Sequence, residues 1–294
     1  MNTYTLALSD LEQARLEFPG TPDSQLVAEL AQDLLQDLGL EPPIDHAIVA
    51  SMRGVKTIKE AAIPWAGYLA PREDGLTITL RAGDSPGKKR FTAFHEVEHT
   101  FMPGFRTQPQ YRCDPVTPVS AVPPRNASVE ALCDVGAAEL LFPRMWFAAD
   151  LAGNKPTLGL VEQLAARYQA SLEATARRLV TLHPTPALLI GLEPGCKPTQ
   201  PHAEPVLRVQ WVHANGSWPY VPRHKSAPES SVFTRALSGE RIEELTTLKG
   251  LTSTDTPVHA SSRLYRYTDD QGEPHMRVLA LITPARSRRA GHAA

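Results

Sequence analysis

The feature that most narrows what this chain can be is the pentapeptide His95-Glu96-Val97-Glu98-His99. On a helix, residues four apart lie on one face, so this H-E-x-x-H spacing lets both imidazoles reach a single ion with Glu96 beside them. Two neutral imidazoles hold a divalent cation without cancelling its charge, and a third protein ligand leaves one position open for water. Glu96 is then placed to take a proton as that water attacks a polarised carbonyl.

The surroundings of the motif suit that chemistry. Leu76-Thr77-Ile78-Thr79-Leu80 is short, β-branched and alternating, which predicts a strand. A polar turn, Gly83-Asp84-Ser85-Pro86-Gly87, leads into Lys88–Phe101, where Phe91, Phe94 and Phe101 join the histidines in a helical pattern. An edge strand beside the metal can hold an extended peptide by main-chain hydrogen bonds, so this order fits a peptidase. Downstream, Ser128 is a good N-cap for a helix running to Leu141. Glu130 in its first turn is the expected third metal ligand, and Asp134, four residues on, the expected acceptor that orients one ligating histidine.

Charge and cysteine usage exclude several other classes. The 294 residues carry a net charge of −2, so no basic excess points to nucleic acid. Three widely spaced cysteines, Cys113, Cys133 and Cys196, argue against a disulfide framework and fit a reducing cytosol. No apolar run approaches the roughly 20 residues of a membrane span, and the N-terminus has no signal-peptide pattern. A soluble, cytoplasmic protein without a membrane partner is expected.

Residues 1–20 read as a loosely attached extension. Thr21-Pro22-Asp23-Ser24 then starts an amphipathic helix through Leu38, with Leu26, Leu30, Leu34 and Leu38 on its apolar stripe and Gly39 ending it. Ile44–Arg53 reads as a short helix, and Ile58–Leu69 as irregular or β. Met102–Arg125, between the two site helices, is proline-rich and aperiodic; loops of this length are uncommon unless functional or disordered, and a lid over the metal is one role for it. Cys113 in this loop invites the idea of an inhibitory thiolate that displaces the metal's water, although most loop cysteines have no such role.

Leu158–Leu182 has a helix-turn-helix-like pattern, with Ser171 capping the second helix. Arg177 and Arg178 make a thin electrostatic footprint that Glu173 dilutes, so a packing or docking hairpin is favoured and direct DNA binding is not expected. Tyr168 and His183 are candidates for the group that stabilises a transition-state oxyanion. Ala187–Leu192 reads as a strand, and a domain boundary is expected near residue 200. Beyond it, Val206–Val212, Arg263–Thr268 and Met276–Ile282 read as strands and Ser230–Leu237 as a short helix. Trp211, Trp218 and Tyr220 are expected to be aromatic core rather than the lining of a ligand pocket.

The run Arg90–His99, RFTAFHEVEH, followed by Glu130–Pro143, EALCDVGAAELLFP, resembles the ImmA/IrrE family of bacterial metallopeptidases, whose patterns are R-F-T-x-x-H-E-x-x-H and E-x-x-A-N-x-F-A-A-x-L-L-x-P. The resemblance is close over roughly residues 24–182. It implies an α+β architecture: a zincin-like metallopeptidase domain of helices and a small antiparallel sheet over residues 21–150, a helix-turn-helix-like segment and linker over 151–200, and a small α+β, GAF-like sensor or substrate-docking domain over 201–294. It implies a gluzincin-type Zn²⁺ site, with His95, His99 and Glu130 as ligands and Glu96 as catalytic base; Mn²⁺ can also occupy such a site in vitro. It further implies cleavage of a helix-turn-helix (XRE-type) repressor, switching on a stress or DNA-damage response, and a small-molecule signal at the C-terminal domain. Two departures stand out: Cys133-Asp134 replaces Ala-Asn, and Gly136 removes an aromatic side chain expected near the site. The competing readings are a DNA-binding regulator with a closed, structural metal site and a ligand-sensing adaptor; an intact Glu96 weighs against both.

Overall fold

The computed structural model describes residues 8–105, 111–113, 127–197, 199–253, 255–269 and 273–285, with backbone only at 111–113, 127 and 268. The chain divides into two compact units: Met1–Ala149 with Ala165–Ser171, and Asp150–Leu164 with Leu172–Ala294.

In the first unit, helix α1 (Asp10–Glu17) occupies what the sequence suggested was a loose extension. Ser9 and Glu12 form a reciprocal capping box there. Leu11 is fully buried and Asp10 pairs with Arg53. Helix α2 (Asp23–Leu38) ends at Gly39 in the left-handed conformation, φ 60°. Its buried face holds Leu26, Val27, Ala28, Ala31 and Leu35. That face is rotated from the expected leucine stripe towards Val27, Ala31 and Leu35, and small Ala31 lets a neighbouring helix approach. Helix α3 (His46–Met52) is capped by Asp45 and leads into a four-stranded sheet.

That sheet has β1 (Val55–Ala61), β2 (Gly67–Arg72), β3 (Gly75–Arg81) and β4 (Tyr111–Cys113) in the order β1-β3-β2-β4. It is mixed rather than antiparallel. β2 and β3 form a hairpin, β1 joins the far side of β3, and the β1–β3 pair is therefore parallel. β3, the strand legible in sequence, is consequently an interior strand; the edges are β1 and β4. Residues Leu76–Leu80 are hydrogen-bonded on both sides, which explains why Ile78 and Leu80 are buried.

Helix α4 (Pro86–Glu98) follows, with Pro86 in its first turn and a 3-10 turn over His99–Phe101. Both of its ends are tied down. Asp84, in the turn before it, receives Arg81 Nη2 at 2.8 Å. Arg90 Nη2 donates to the carbonyl of Ile44 at 2.6 Å. Arg53 donates to Thr100 Oγ1 at 2.9 Å and stacks on Phe101 at 3.8 Å. Helix α5 (Ala127–Leu141) packs on α2 and α4, and helix α6 (Arg144–Leu151) follows Pro143.

The second unit is a five-stranded antiparallel sheet: β5 (Ala187–Gly195), β6 (Val206–Asn215), β7 (Ile242–Thr247), β8 (Pro257–Thr268) and β9 (Pro274–Pro284), in the order β6-β5-β9-β8-β7. β5 is hydrogen-bonded to β6 and β9, so the unit begins well before residue 200. One face buries Leu188, Ile190, Val209, Val278 and Ile282 against Phe233 of helix α9 (Val232–Leu237). β7 was not legible in sequence, because Glu243, Glu244, Thr246 and Thr247 mask its alternation.

Helix α7 (Leu158–Tyr168) and helix α8 (Leu172–Leu182) occupy the stretch whose sequence pattern is helix-turn-helix-like. On α8, Arg178 is buried, and Arg177 bonds Glu173 and stacks on Trp211 at 3.9 Å. The indole of Trp211 lies against Gly191, where an added Cβ would come within 2.4 Å of it. Trp218 packs partly on the core, whereas Tyr220 is 82% exposed and no part of it.

Candidate metal centre

α4 and the 3-10 turn that continues it present His95, Glu96 and His99, and α5 presents Glu130, Cys133 and Asp134 at positions i, i+3 and i+4 of one face. Nε2 of His95 lies 3.0 Å from Glu130 Oε2, and Nε2 of His99 lies 3.7 Å from Glu130 Oε1. Each imidazole is approached on its other nitrogen as well: Asp134 Oδ1 is 2.9 Å from Nδ1 of His95, and Cys133 Sγ is 3.5 Å from Nδ1 of His99. His95, His99 and Cys133 are buried, and their ligand atoms lie within 4.8 Å of one another, so the group could hold a metal ion.

Burial sets the charge states. Desolvation, helped by the neighbouring His95, lowers the pKa of His99 to about 3, so its ring stays neutral, the form that ligates a metal. Glu96 is fully buried, and desolvation raises its pKa to about 8. His95 pulls it down, Glu130 pushes it further up, and the Leu69 amide favours ionisation, although neither Glu96 oxygen makes a full hydrogen bond among the described residues. Strand β2 passes close above this carboxylate. A Cβ at Gly67 would come within 2.5 Å of Thr92 Cγ2 and 3.3 Å of Glu96 Oε1, so only glycine fits there. Gly67–Leu69 also pair with β4, whose Cys113 lies opposite Gly67. The Cys113 side chain is outside the described residues, and with it the idea of an inhibitory thiolate.

Glu98 is the unexpected member. Its side chain is fully buried, and neither oxygen has a hydrogen-bond partner among the described residues. It fills the notch left by Gly136, whose added Cβ would come within 2.1 Å of Glu98 Oε2. The departure at Gly136 therefore leaves no hole; the carboxylate from α4 occupies the space. Burial raises the Glu98 pKa to about 8, against opposing pulls from Arg53 and His95.

A pH dependence of stability follows. With its folded pKa above the ordinary value of 4.5, Glu98 holds a proton that the unfolded chain releases. Its contribution is full below pH 4.5 and lost as pH rises to about 8, and Glu96 acts with the same sign. Buried His99 works in the opposite sense below pH 6.5, where the unfolded chain takes up a proton. Denaturant titrations of the metal-free protein should therefore show stability falling most clearly between pH 6.5 and 8, by on the order of a few kcal/mol. Glu98→Gln should remove part of that slope; an unchanged slope would assign it to other groups.

The two residues considered as oxyanion stabilisers have other surroundings. Tyr168 is fully buried, with ring centroids 5.1 Å from Phe147 and 5.7 Å from Phe142. His183 uses both ring nitrogens: Nε2 meets the Asn154 carbonyl at 3.1 Å, and Nδ1 accepts the Thr185 N–H at 3.0 Å.

An α+β unit whose two packed helices bring an H-E-x-x-H motif under a small sheet, with a carboxylate facing both histidines, defines a metallopeptidase domain of the zincin-like class. Residues 50–180 match the family described as the IrrE N-terminal-like domain. Over that stretch, which is under half of the chain, it is similar to the ImmA/IrrE metallopeptidases. It is similar to the radiation response metalloprotease IrrE of Deinococcus radiodurans, 26% identical over 161 residues. The match covers 53% of this chain and 45% of that protein, so the chain spans under half of the relative's length. Over 94% of this chain and 82% of the other, the fold is like that of a solved Mycobacterium tuberculosis transcriptional regulator, with a TM-score of 0.57 and 10% identity. Among the described residues no helix is long and apolar enough to cross a membrane.

Proposed function

We propose that this chain is a zinc-dependent, site-specific endopeptidase that cleaves a helix-turn-helix (XRE-type) repressor and thereby switches on a stress or DNA-damage response. The observation that carries the reading is the convergence of two imidazole Nε2 atoms on one carboxylate, with a buried glutamate alongside. Donors about 2.0–2.2 Å from a tetrahedral zinc are about 3.4 Å from one another. The 3.0 and 3.7 Å separations of Glu130 from His95 and His99 bracket that value, so the donors fit the ion with small adjustments.

In this reading His95, His99 and Glu130 hold the metal, and Asp134 fixes His95 through its Nδ1. When bound, the metal lowers the pKa of water and polarises the scissile carbonyl. Glu96 accepts the proton of the attacking water and returns it to the leaving amine. Its buried position keeps competing solvent away and gives it a basicity matched to proton transfer near neutrality. The family resemblance supplies the repressor as substrate, and the name of the Deinococcus relative supports the stress response. The C-terminal unit is read as a GAF-like sensor, in keeping with its strand order of second, first, fifth, fourth and third.

The test is incubation of the purified protein with Zn²⁺ or Mn²⁺ and candidate helix-turn-helix repressors from the same genome, followed by intact mass. A single cut that a chelator abolishes and added metal restores is the expected result. Metal-loaded protein that cuts none of the candidates would count against the repressor as substrate.

A further inference from the structure

Cys133 is fully buried on the α5 face that meets α4, with its Sγ 3.5 Å from Nδ1 of His99. The two nitrogens of an imidazole point to opposite sides of the ring, so a sulfur on Nδ1 is on the wrong side to reach an ion held by Nε2. The Nε2 side of His99 faces Glu130 instead, at 3.7 Å. His95 repeats the pattern, with Asp134 on Nδ1 at 2.9 Å and Glu130 on Nε2 at 3.0 Å. Glu130, Cys133 and Asp134 thus form one row on α5, with the carboxylate at the Nε2 atoms and one further group at each Nδ1.

From this we infer that Cys133 is a positioning residue: its sulfur accepts the Nδ1–H of His99, fixing the tautomer and ring orientation that turn Nε2 to the metal, and it is not itself a ligand. A metal-ligating histidine commonly gives its other N–H to such an acceptor, and a thioether or thiol sulfur is a weak but adequate one. The rival is a His95-His99-Cys133 site, for which the clustering of those three groups is the argument. The Nδ1 contact favours the positioning role. The inference rests on the metal-centre reading above.

Cobalt substitution separates these possibilities. In a Cys113→Ser, Cys196→Ser background Cys133 is the sole thiol of the chain's three. Co²⁺ titrated into that protein should give visible d–d bands without the intense near-ultraviolet band of thiolate-to-cobalt charge transfer. Cys133→Val, which is one methyl group larger and loses the acceptor, should weaken Co²⁺ binding roughly 10- to 100-fold, and Cys133→Ser should recover most of the loss. A charge-transfer band would make Cys133 a ligand and overturn the inference, as would valine and serine variants that bind equally tightly. Protein that takes up no Co²⁺ at all, with Cys133 intact, would end the metal-centre reading, and this inference with it.

Discussion

Glu96→Gln is expected to slow peptide-bond cleavage by roughly 10²- to 10⁴-fold while leaving the metal content of the protein unchanged. Glutamine has nearly the same shape, so the buried slot beneath Gly67 and beside Thr92 should still be filled. What it cannot do is take up a proton. In the metal-free protein Glu96 has a pKa near 8, and a cation nearby would favour its ionised form, so the base would be ready near neutral pH. Single-turnover cleavage of an identified substrate, measured alongside metal stoichiometry, checks both halves. If Glu96→Gln cut at the wild-type rate, Glu96 would not be the base; if it lost metal, the effect would be on the site's assembly rather than on proton transfer.

The second large effect is expected away from the proposed metal ligands. Gly136→Ala should destabilise the protein by about 1–3 kcal/mol, because the new methyl group would meet the Glu98 carboxylate at 2.1 Å in the packed contact between α4 and α5. Glu98 has little room to withdraw, since its side chain is fully buried. The same change made in a Glu98→Ala protein should cost much less. Denaturant unfolding of the two single variants and the double variant measures that coupling directly. Equal costs in both backgrounds would mean that α5 shifts to accommodate the methyl group and that the carboxylate is not what excludes it.

Much of the centre was legible because helical periodicity is a local property. Four-residue spacing puts His95 and His99 on one face, and the same spacing puts Glu130 and Asp134 on another. What spacing could not supply was the relation between the helices. The Cys133 contact with His99 and the fit of Glu98 into the notch at Gly136 each join residues more than thirty positions apart, and depend on how closely α4 and α5 approach. One sequence signal did point that way: Cys133 follows Glu130 by three residues and precedes Asp134, so it had to share their face.

Turn chemistry, capping and alternation placed most helices and strands to within a few residues, because each depends on neighbours along the chain. Strand pairing does not. That β3 lies inside the sheet, parallel to β1 on one side, and that β5 joins the second unit rather than a linker, were decided by hydrogen bonds between distant segments. The charged-looking α8 makes the same point, since its arginines are committed to Glu173, Trp211 and burial, which only packing reveals. The sequence alone determined the chemistry available to this protein, by placing two imidazoles and a carboxylic acid on one turn of helix. Tertiary structure decided which groups surround them, because burial, tautomer and basicity are set by atoms that come from elsewhere in the chain.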